Sequence, residues 1–183
     1  MATHVRSACG TIASIHGVDR QLDHPGASAC GGWKKGGADH AIGRSRGGLS
    51  TKINAVVDGD GLPIRLALTP GQASDKEAAV GLIASLTKTS DLVADRGYDA
   101  RALVDLAQIH GVRAHIPTQR DRRVQRAVDP EIYRQRNLVE RFFNKLKHFR
   151  RVATRFDKLA RNFLAAVALA SVRIWTRAYE STT

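Results

Sequence analysis

Cysteine is nearly absent from this chain, with two among 183 residues. No disulfide framework is available, and an intracellular, reducing compartment is the expectation. Aromatic residues make up only 5% and methionine occurs once. Long apolar runs are missing as well: no stretch reaches about 18 residues without a charge, so no transmembrane helix is expected. The opening MATHVRSACG has no basic region followed by an apolar core, and no secretory signal is expected from it. Proline is scarce at 5 beside 16 glycines, which excludes collagen-like and low-complexity architectures, and an apolar content of 43% excludes wholesale disorder. Acids are few: 17 Asp and Glu face 29 Lys and Arg, leaving a formal charge of +12. That imbalance points to a polyanionic partner, nucleic acid ahead of an acidic membrane surface. The length suits one domain with a real core.

The charge is not spread evenly. Between Arg113 and Arg161, a stretch of 49 residues, 15 Arg or Lys stand against 5 Asp or Glu, a net of +10. The first 112 residues are close to neutral. One basic segment beside a near-neutral body is the pattern of a docking surface for phosphates.

Along the chain, ATHVRSA (2–8) suits a short opening strand. Residues 9–48 carry ten glycines and the basic Trp33-Lys34-Lys35, and read as a long irregular loop, functional or mobile. LSTKINAVVD (49–58) and LPIRLALT (62–69) flank Gly59-Asp60-Gly61 and predict a hairpin. Ser74 and Glu77 have capping-box spacing ahead of a helix over 75–86. DLVAD (91–95) is a short strand ending on an aspartate, and Asp99 is placed to cap a helix through His110 that Gly111 stops. VRAHI (112–116) is a further strand, closed by Pro117. The basic loop TQRDRRVQRAVD leads to Asp129-Pro130, the start of a long helix, and Asp157 is placed to cap a final helix to about Arg177. The order predicts an α/β layered domain: a mixed sheet flanked by helices, with an added C-terminal helix. Its parts are the opening strand and Gly-rich basic loop (1–48), the layered domain itself (49–177), which the resemblance given below implies to be catalytic, and a tail (178–183).

The chemistry concentrates on the long helix. Tyr133, Arg136, Glu140 and Lys147 fall at i, i+3, i+7 and i+14, within an arc of roughly 60° at helical spacing. Leu138, Phe142, Leu146 and Phe149 take the opposite side, where a core would lie. An ordinary amphipathic helix, with Glu140 paired to a neighbouring cation, accounts for the same pattern. Asp95 is the natural partner for Glu140, because sites form at the carboxyl ends of strands in open α/β sheets. A turn aspartate ahead of Gly97 is its plainer reading. Two carboxylates from different elements suit Mg²⁺ or Mn²⁺, and a third would complete a two-metal site for in-line attack on a phosphodiester. Arg136 and Lys147 would position phosphates, and Arg120, Arg122, Arg123, Lys145, Arg150 and Arg151 extend the candidate DNA contacts.

The spacing Tyr133-(2)-Arg136-(3)-Glu140-(6)-Lys147 resembles the Y-(2)-R-(3)-E-(6)-K pattern of bacterial insertion-sequence transposases of the DDE class, most nearly the insertion-sequence-five-like family. GRSRGGLSTKI (43–53), LTPGQASD (68–75), ADRGYD (94–99) and the run from Arg136 to Ala165 are similar to that family's C-terminal half, and the resemblance covers about residues 33–177. It implies an RNase H-like fold, metal-dependent cleavage at the ends of a mobile element, and joining of 3′ ends to target DNA. It implies Asp95 and Glu140 as metal ligands, DNA at element ends and target as partner, and a homo-oligomer in the DNA complex. It further implies no membrane association and a bacterial cytoplasmic, nucleoid-associated location.

One departure accompanies the likeness. The family carries a first catalytic aspartate in a run similar to Asp-Ala/Ser-Thr-X-Val-Arg, and here Met1-Ala2-Thr3-His4-Val5-Arg6 puts Met1 in its place. The resemblance therefore yields two carboxylates. Asp19, Asp23, Asp58 and Asp60 are stand-ins for the third, the last two better explained by turn chemistry. The expectations are a downstream frame completed by frameshifting, or a truncated copy, with weak or no cleavage by the isolated chain. The alternatives are a non-catalytic basic DNA-binding remnant, which could inhibit an intact transposase, and an RNA binder of ribosomal type. Cys9, His16, His24 and Cys30 have six, seven and five intervening residues and fit no tight zinc knuckle. His40, His110, His115 and His148 show no nucleophile partner. Trp33 could stack on an unpaired base, whereas Trp175 belongs to the core.

Overall fold

The computed structural model describes residues 12–21, as backbone, together with 40–45, 48–86 and 91–181. Six strands form one mixed sheet: β1 (Ile12–Gln21), β2 (Gly43–Ser45), β3 (Gly48–Val57), β4 (Pro63–Pro70), β5 (Asp91–Ala94) and β6 (Arg113–His115). The order is β2-β3-β1-β5-β6, with β4 also on β3. One edge of β3 is taken by antiparallel β1, and the other is shared by β2 at its start and β4 from Thr51 onward. β5 runs parallel to β1, and β6 runs parallel to β5.

The β3–β4 hairpin forms as its sequence dictates. β-branched and apolar residues alternate along β3, and Asp58 Oδ1 accepts the N–H groups of Asp60 (3.0 Å) and Leu62 (2.9 Å) to close the turn. Gly61 takes φ +76 there, a conformation that costs glycine little. Strand alternation then divides the core. Val56 joins Leu92 and Ala94 of β5 against α1 (Asp75–Ala84) and α2 (Arg101–Ile109). Ile53, Ala55 and Val57 join the other side, against α4 (Asn137–Lys147) and α6 (Ala160–Glu180). The mixed sheet thus lies between two helical layers, with α6 as the added C-terminal helix. Trp175 packs against the α4/α6 side of the core and donates Nε1–H to the Pro63 carbonyl at 2.9 Å.

Five local expectations change. The strand expected at 2–8 lies outside the described residues, as does Trp33. The interval 9–48 is not irregular throughout, since it holds β1 and β2. β1 is held by its ladders, which run to β3 and β5 on either side. The long helix is two helices, α3 (Pro130–Arg134) and α4. The joint keeps right-handed helical backbone but tightens to i→i+3 bonds, Arg136 N–H to Tyr133 O at 3.0 Å and Leu138 N–H to Gln135 O at 2.9 Å. Asp129 caps α3 as expected, accepting from Glu131 N–H at 2.8 Å. Ser74 leads into α1 without a side-chain cap bond. Asp157 does not cap α6, whose N-cap is Leu159, because its carboxylate binds Arg151 through two 2.8 Å bonds. That segment includes α5 (Arg150–Ala153) and turns at Arg155, φ +51. Asp99 likewise does not cap α2, which starts from Ala100.

Candidate metal centre and nucleic-acid surface

Asp95 follows the last residue of β5 with extended backbone, φ −78 and ψ 176. Leu92 and Ala94, just before it, turn toward α1 and α2. It caps a 3₁₀ turn (Arg96–Tyr98), with Oδ1 accepting the Gly97 N–H at 2.8 Å. A Cβ at residue 97 would lie 2.9 Å from that oxygen, so glycine lets the carboxylate fold over its own turn. Tyr98, just beyond, is 2% exposed and its hydroxyl has no hydrogen-bond partner among the described residues. Burial, then the charges of Asp75 and Asp95, pushes this phenol well above its ordinary pKa, which keeps it neutral.

Glu140 lies in the first turn of α4, with its side chain 40% exposed and bound to Arg136 Nη1 in an i,i+4 ion pair. α4 buries Val139, Phe142, Phe143 and Leu146 in the core, with Leu138 partly buried, so its buried stripe comes round to flank Glu140 at Val139 and Phe143. Tyr133 sits on α3, which packs beside β5. Lys147 reaches Asn144 Oδ1 at 3.4 Å. The structure therefore joins Arg136 to Glu140, and delivers Asp95 and Glu140 from separate elements. Among the described residues, no group of three His, Cys, Asp or Glu side chains is placed to hold a metal ion.

Two of the third-carboxylate candidates find other settings. Asp58 and Asp60 belong to the hairpin turn. Asp19 pairs in register with Lys52, whose Nζ goes to Asp75 Oδ1 (3.0 Å) and the Ala73 carbonyl (2.8 Å) on the α1 side. Asp23, Cys9, His24 and Cys30 lie outside the described residues, and His16 is described as backbone only.

The cations divide into two sets. Arg120, Arg123, Lys145 and Arg150 are exposed. Arg122 and Arg151 are instead drawn to carboxylates, Arg122 Nε to Asp99 Oδ2 at 2.9 Å and Arg151 to Asp157. Lys145 also lines a groove of about 630 Å³ between α4 and α6, together with His148, Arg173 and Arg177.

Sequence reasoning missed three features. Asp99 is a buried ion-pair centre for Arg122 and Arg126. His115, set aside for want of a partner, has Nε2 2.9 Å from the buried Asp91 carboxylate, which also holds Arg113. Arg155 is wholly buried. The one available signal was the lone Asp99 opposite four loop arginines that need a counter-charge.

Comparison with known proteins adds three likenesses. The family described as Transposase DDE domain matches residues 11–175. A protein named as a transposase for insertion sequence element IS6501, from Brucella ovis, is 38% identical over 130 residues, which is 70% of this chain and 100% of that relative. The catalytic core domain of BIV integrase covers 88% of this chain and 80% of its own, at 16% identity and a TM-score of 0.48.

Proposed function

The chain belongs to the transposase DDE-domain family and is a transposase of the insertion-sequence kind; from that premise we propose that Asp95 and Glu140 are its metal-binding carboxylates. What supports the reading is an aspartate at the carboxyl end of an inner strand, β5, and a glutamate on α4, the helix that packs on the adjacent strand β1 and on β3. Both groups offer hard carboxylate oxygens, the donor type that Mg²⁺ and Mn²⁺ take, and both are partly exposed. The bound ion would activate a water or sugar hydroxyl and stabilise the leaving oxygen of a phosphodiester.

The chain's own residues place the reactants. The Gly97 N–H restrains the Asp95 carboxylate, and Arg136 restrains Glu140 while offsetting its charge. Exposed cations of the basic segment, Arg120, Arg123, Lys145, Lys147 and Arg150, hold phosphates by charge-assisted bonds that set register without reading sequence. Tyr133 at the α3 end adds a hydroxyl to the same face. The DNA is that of element ends and target, the assembly a homo-oligomer on DNA, and the setting the bacterial cytoplasm at the nucleoid. The catalytic unit includes β1 as well as the residues from 49 to 177, because β1 bridges β3 and β5 in the sheet, and its ancestry is insertion-sequence-five-like. No helix among the described residues is long and apolar enough to cross a membrane.

The test is binding of the full chain to a terminal-repeat duplex, titrated with salt and with Mg²⁺. Affinity is expected to fall steeply with salt, and Mg²⁺ to enhance binding in the wild type but not in Asp95→Asn. Salt-independent affinity, or equal Mg²⁺ enhancement in Asp95→Asn, contradicts the reading. Robust Mg²⁺-dependent nicking abolished by Asp95→Ala would add that a third ligand is supplied.

A further inference from the structure

Four residues beyond Asp95, the side chain of Asp99 is fully buried. Three donors from one loop converge on it. Gln119 N–H reaches Oδ2 at 3.0 Å, Arg122 Nε reaches the same oxygen at 2.9 Å, and Arg126 Nη2 binds Oδ1. The loop closes on itself as well. Arg126 N–H donates to Thr118 Oγ1 at 2.7 Å, and Gln125 Nε2 donates to the carbonyls of Arg122 (2.7 Å) and Gln119 (3.0 Å). Asp99 is tied to Asp95 through the 3₁₀ turn, with Tyr98 N–H to Asp95 O and Asp99 N–H to Arg96 O both at 3.1 Å.

We infer that Asp99 is a positioning residue, which holds the loop 117–128 beside Asp95 as a preordered strap for the phosphate backbone of DNA. This rests on the reading that DNA lies at the Asp95 end of the sheet. Ordering a loop at the moment of binding costs free energy for each side chain immobilised, and a loop already held by a buried carboxylate avoids most of that cost. The same geometry sorts the loop's cations. Arg122 and Arg126 are committed to Asp99, whereas Arg120 and Arg123 are exposed and point their charge outward past one acid, Asp121. Arg120 and Arg123 are therefore the phosphate contacts, and Arg122 and Arg126 are the framework that presents them.

The sign of one substitution separates positioning from bulk charge. Asp99→Asn removes a negative charge, so electrostatics alone predicts tighter DNA binding. Loss of the strap predicts weaker binding, by about tenfold, from the side chains that must then be ordered. Thr118→Val leaves the charge unchanged, loosens the same loop and is expected to weaken binding in the same direction. Arg120→Gln with Arg123→Gln, both on the surface, should lower the salt slope by about two, one counterion for each cation. The measurements use the full chain and a short labelled duplex in EDTA, with thermal melts to confirm folding. Tryptic cleavage after Arg122 and Arg126 without DNA should be faster in Asp99→Asn and Thr118→Val than in the wild type. Asp99→Asn and Thr118→Val binding as tightly as the wild type, or an unchanged slope in the double variant, overturns the inference. A wild-type chain that binds no duplex at all overturns the preceding functional reading instead, and the tryptic result then still decides whether Asp99 orders the loop.

Discussion

Arg155 offers the sharpest test of the packing. The residue is wholly buried and takes positive φ, +51, at the turn between α5 and α6. Its guanidinium donates to Thr51 Oγ1 (3.1 Å) and to the carbonyls of His40 (2.6 Å), Asp157 and Lys158 (3.3 Å), and stacks 4.0 Å from the Phe163 ring centroid. It ties the segment before β2 and the first residues of β3 to the C-terminal helices. Burial lowers the guanidinium pKa to about 10, so it is still charged at neutral pH. Each bond to a charged donor contributes about 1.5–3 kcal/mol, and the ring contact about 0.5–2 kcal/mol. Desolvation of the cation offsets several kcal/mol of this, so the intact net value is modest. Truncation is a different quantity: Arg155→Ala strands buried carbonyls beside a cavity, and the expected loss is about 3–5 kcal/mol. At about 2–4 °C per kcal/mol for a chain of this size, the melting temperature should fall by about 6–20 °C. Arg155→Lys keeps the charge but loses the fork, and should fall between the two. Urea unfolding and calorimetry on the full chain provide the measurement. A loss below about 1 kcal/mol in the alanine variant would refute the reasoning, because it is the ordinary effect of an unremarkable substitution.

The same measurements reach two other features. Phe142 is 0% exposed between α4 and the sheet, and Phe142→Ala should cost about 3–5 kcal/mol in urea unfolding; a surface-like loss would place α4 elsewhere. Burial works against ionisation of Asp99, yet the Gln119 N–H and the guanidinium groups of Arg126 and Arg122 outweigh it and hold its carboxyl below the ordinary range. A folded pKa below the unfolded one stabilises above the unfolded value of about 4 and is lost as pH falls through the folded value. Stability of the wild type should therefore drop on acidification below about pH 4, with a shallower drop in Asp99→Asn, and parallel pH profiles would contradict this.

Much of the fold is legible in the sequence where local signals and tertiary demands agree. The hairpin 49–69 reads correctly because alternation, a Gly-Asp-Gly turn and burial all ask for the same register. The core side of α4 is half legible from helical spacing: Phe142 and Leu146 are buried as expected, while Val139 and Phe143 take the places expected of Leu138 and Phe149, which are only partly buried. Two of the failures share one cause. Asp99 and Asp157 both stand where an aspartate caps a helix, but each meets arginines that compete for its oxygens, and a buried or bidentate ion pair outweighs a cap bond. The joint at Gln135–Arg136 escapes notice because its backbone torsions stay helical and only the hydrogen-bond spacing changes. β1 hides in a glycine-dotted interval, since its strand character is completed by pairing on both sides rather than by its own pattern. The candidate site divides similarly. Asp95, Glu140 and Arg136 can be picked out as candidates from spacing and a strand end, while the ion pairs of Arg122 and Arg126 with the buried Asp99 need the third dimension.

Metal binding by the two assigned carboxylates is the central claim, and thermal unfolding of the full chain against Mn²⁺ and Mg²⁺ tests it most directly. The wild type should gain melting temperature with metal in a saturable way, as linkage requires of a ligand that binds the folded state. Asp95→Asn and Glu140→Gln should each lose that gain, and the double variant should lose no more than either one. Equal metal stabilisation of the wild type and both single variants would contradict the account.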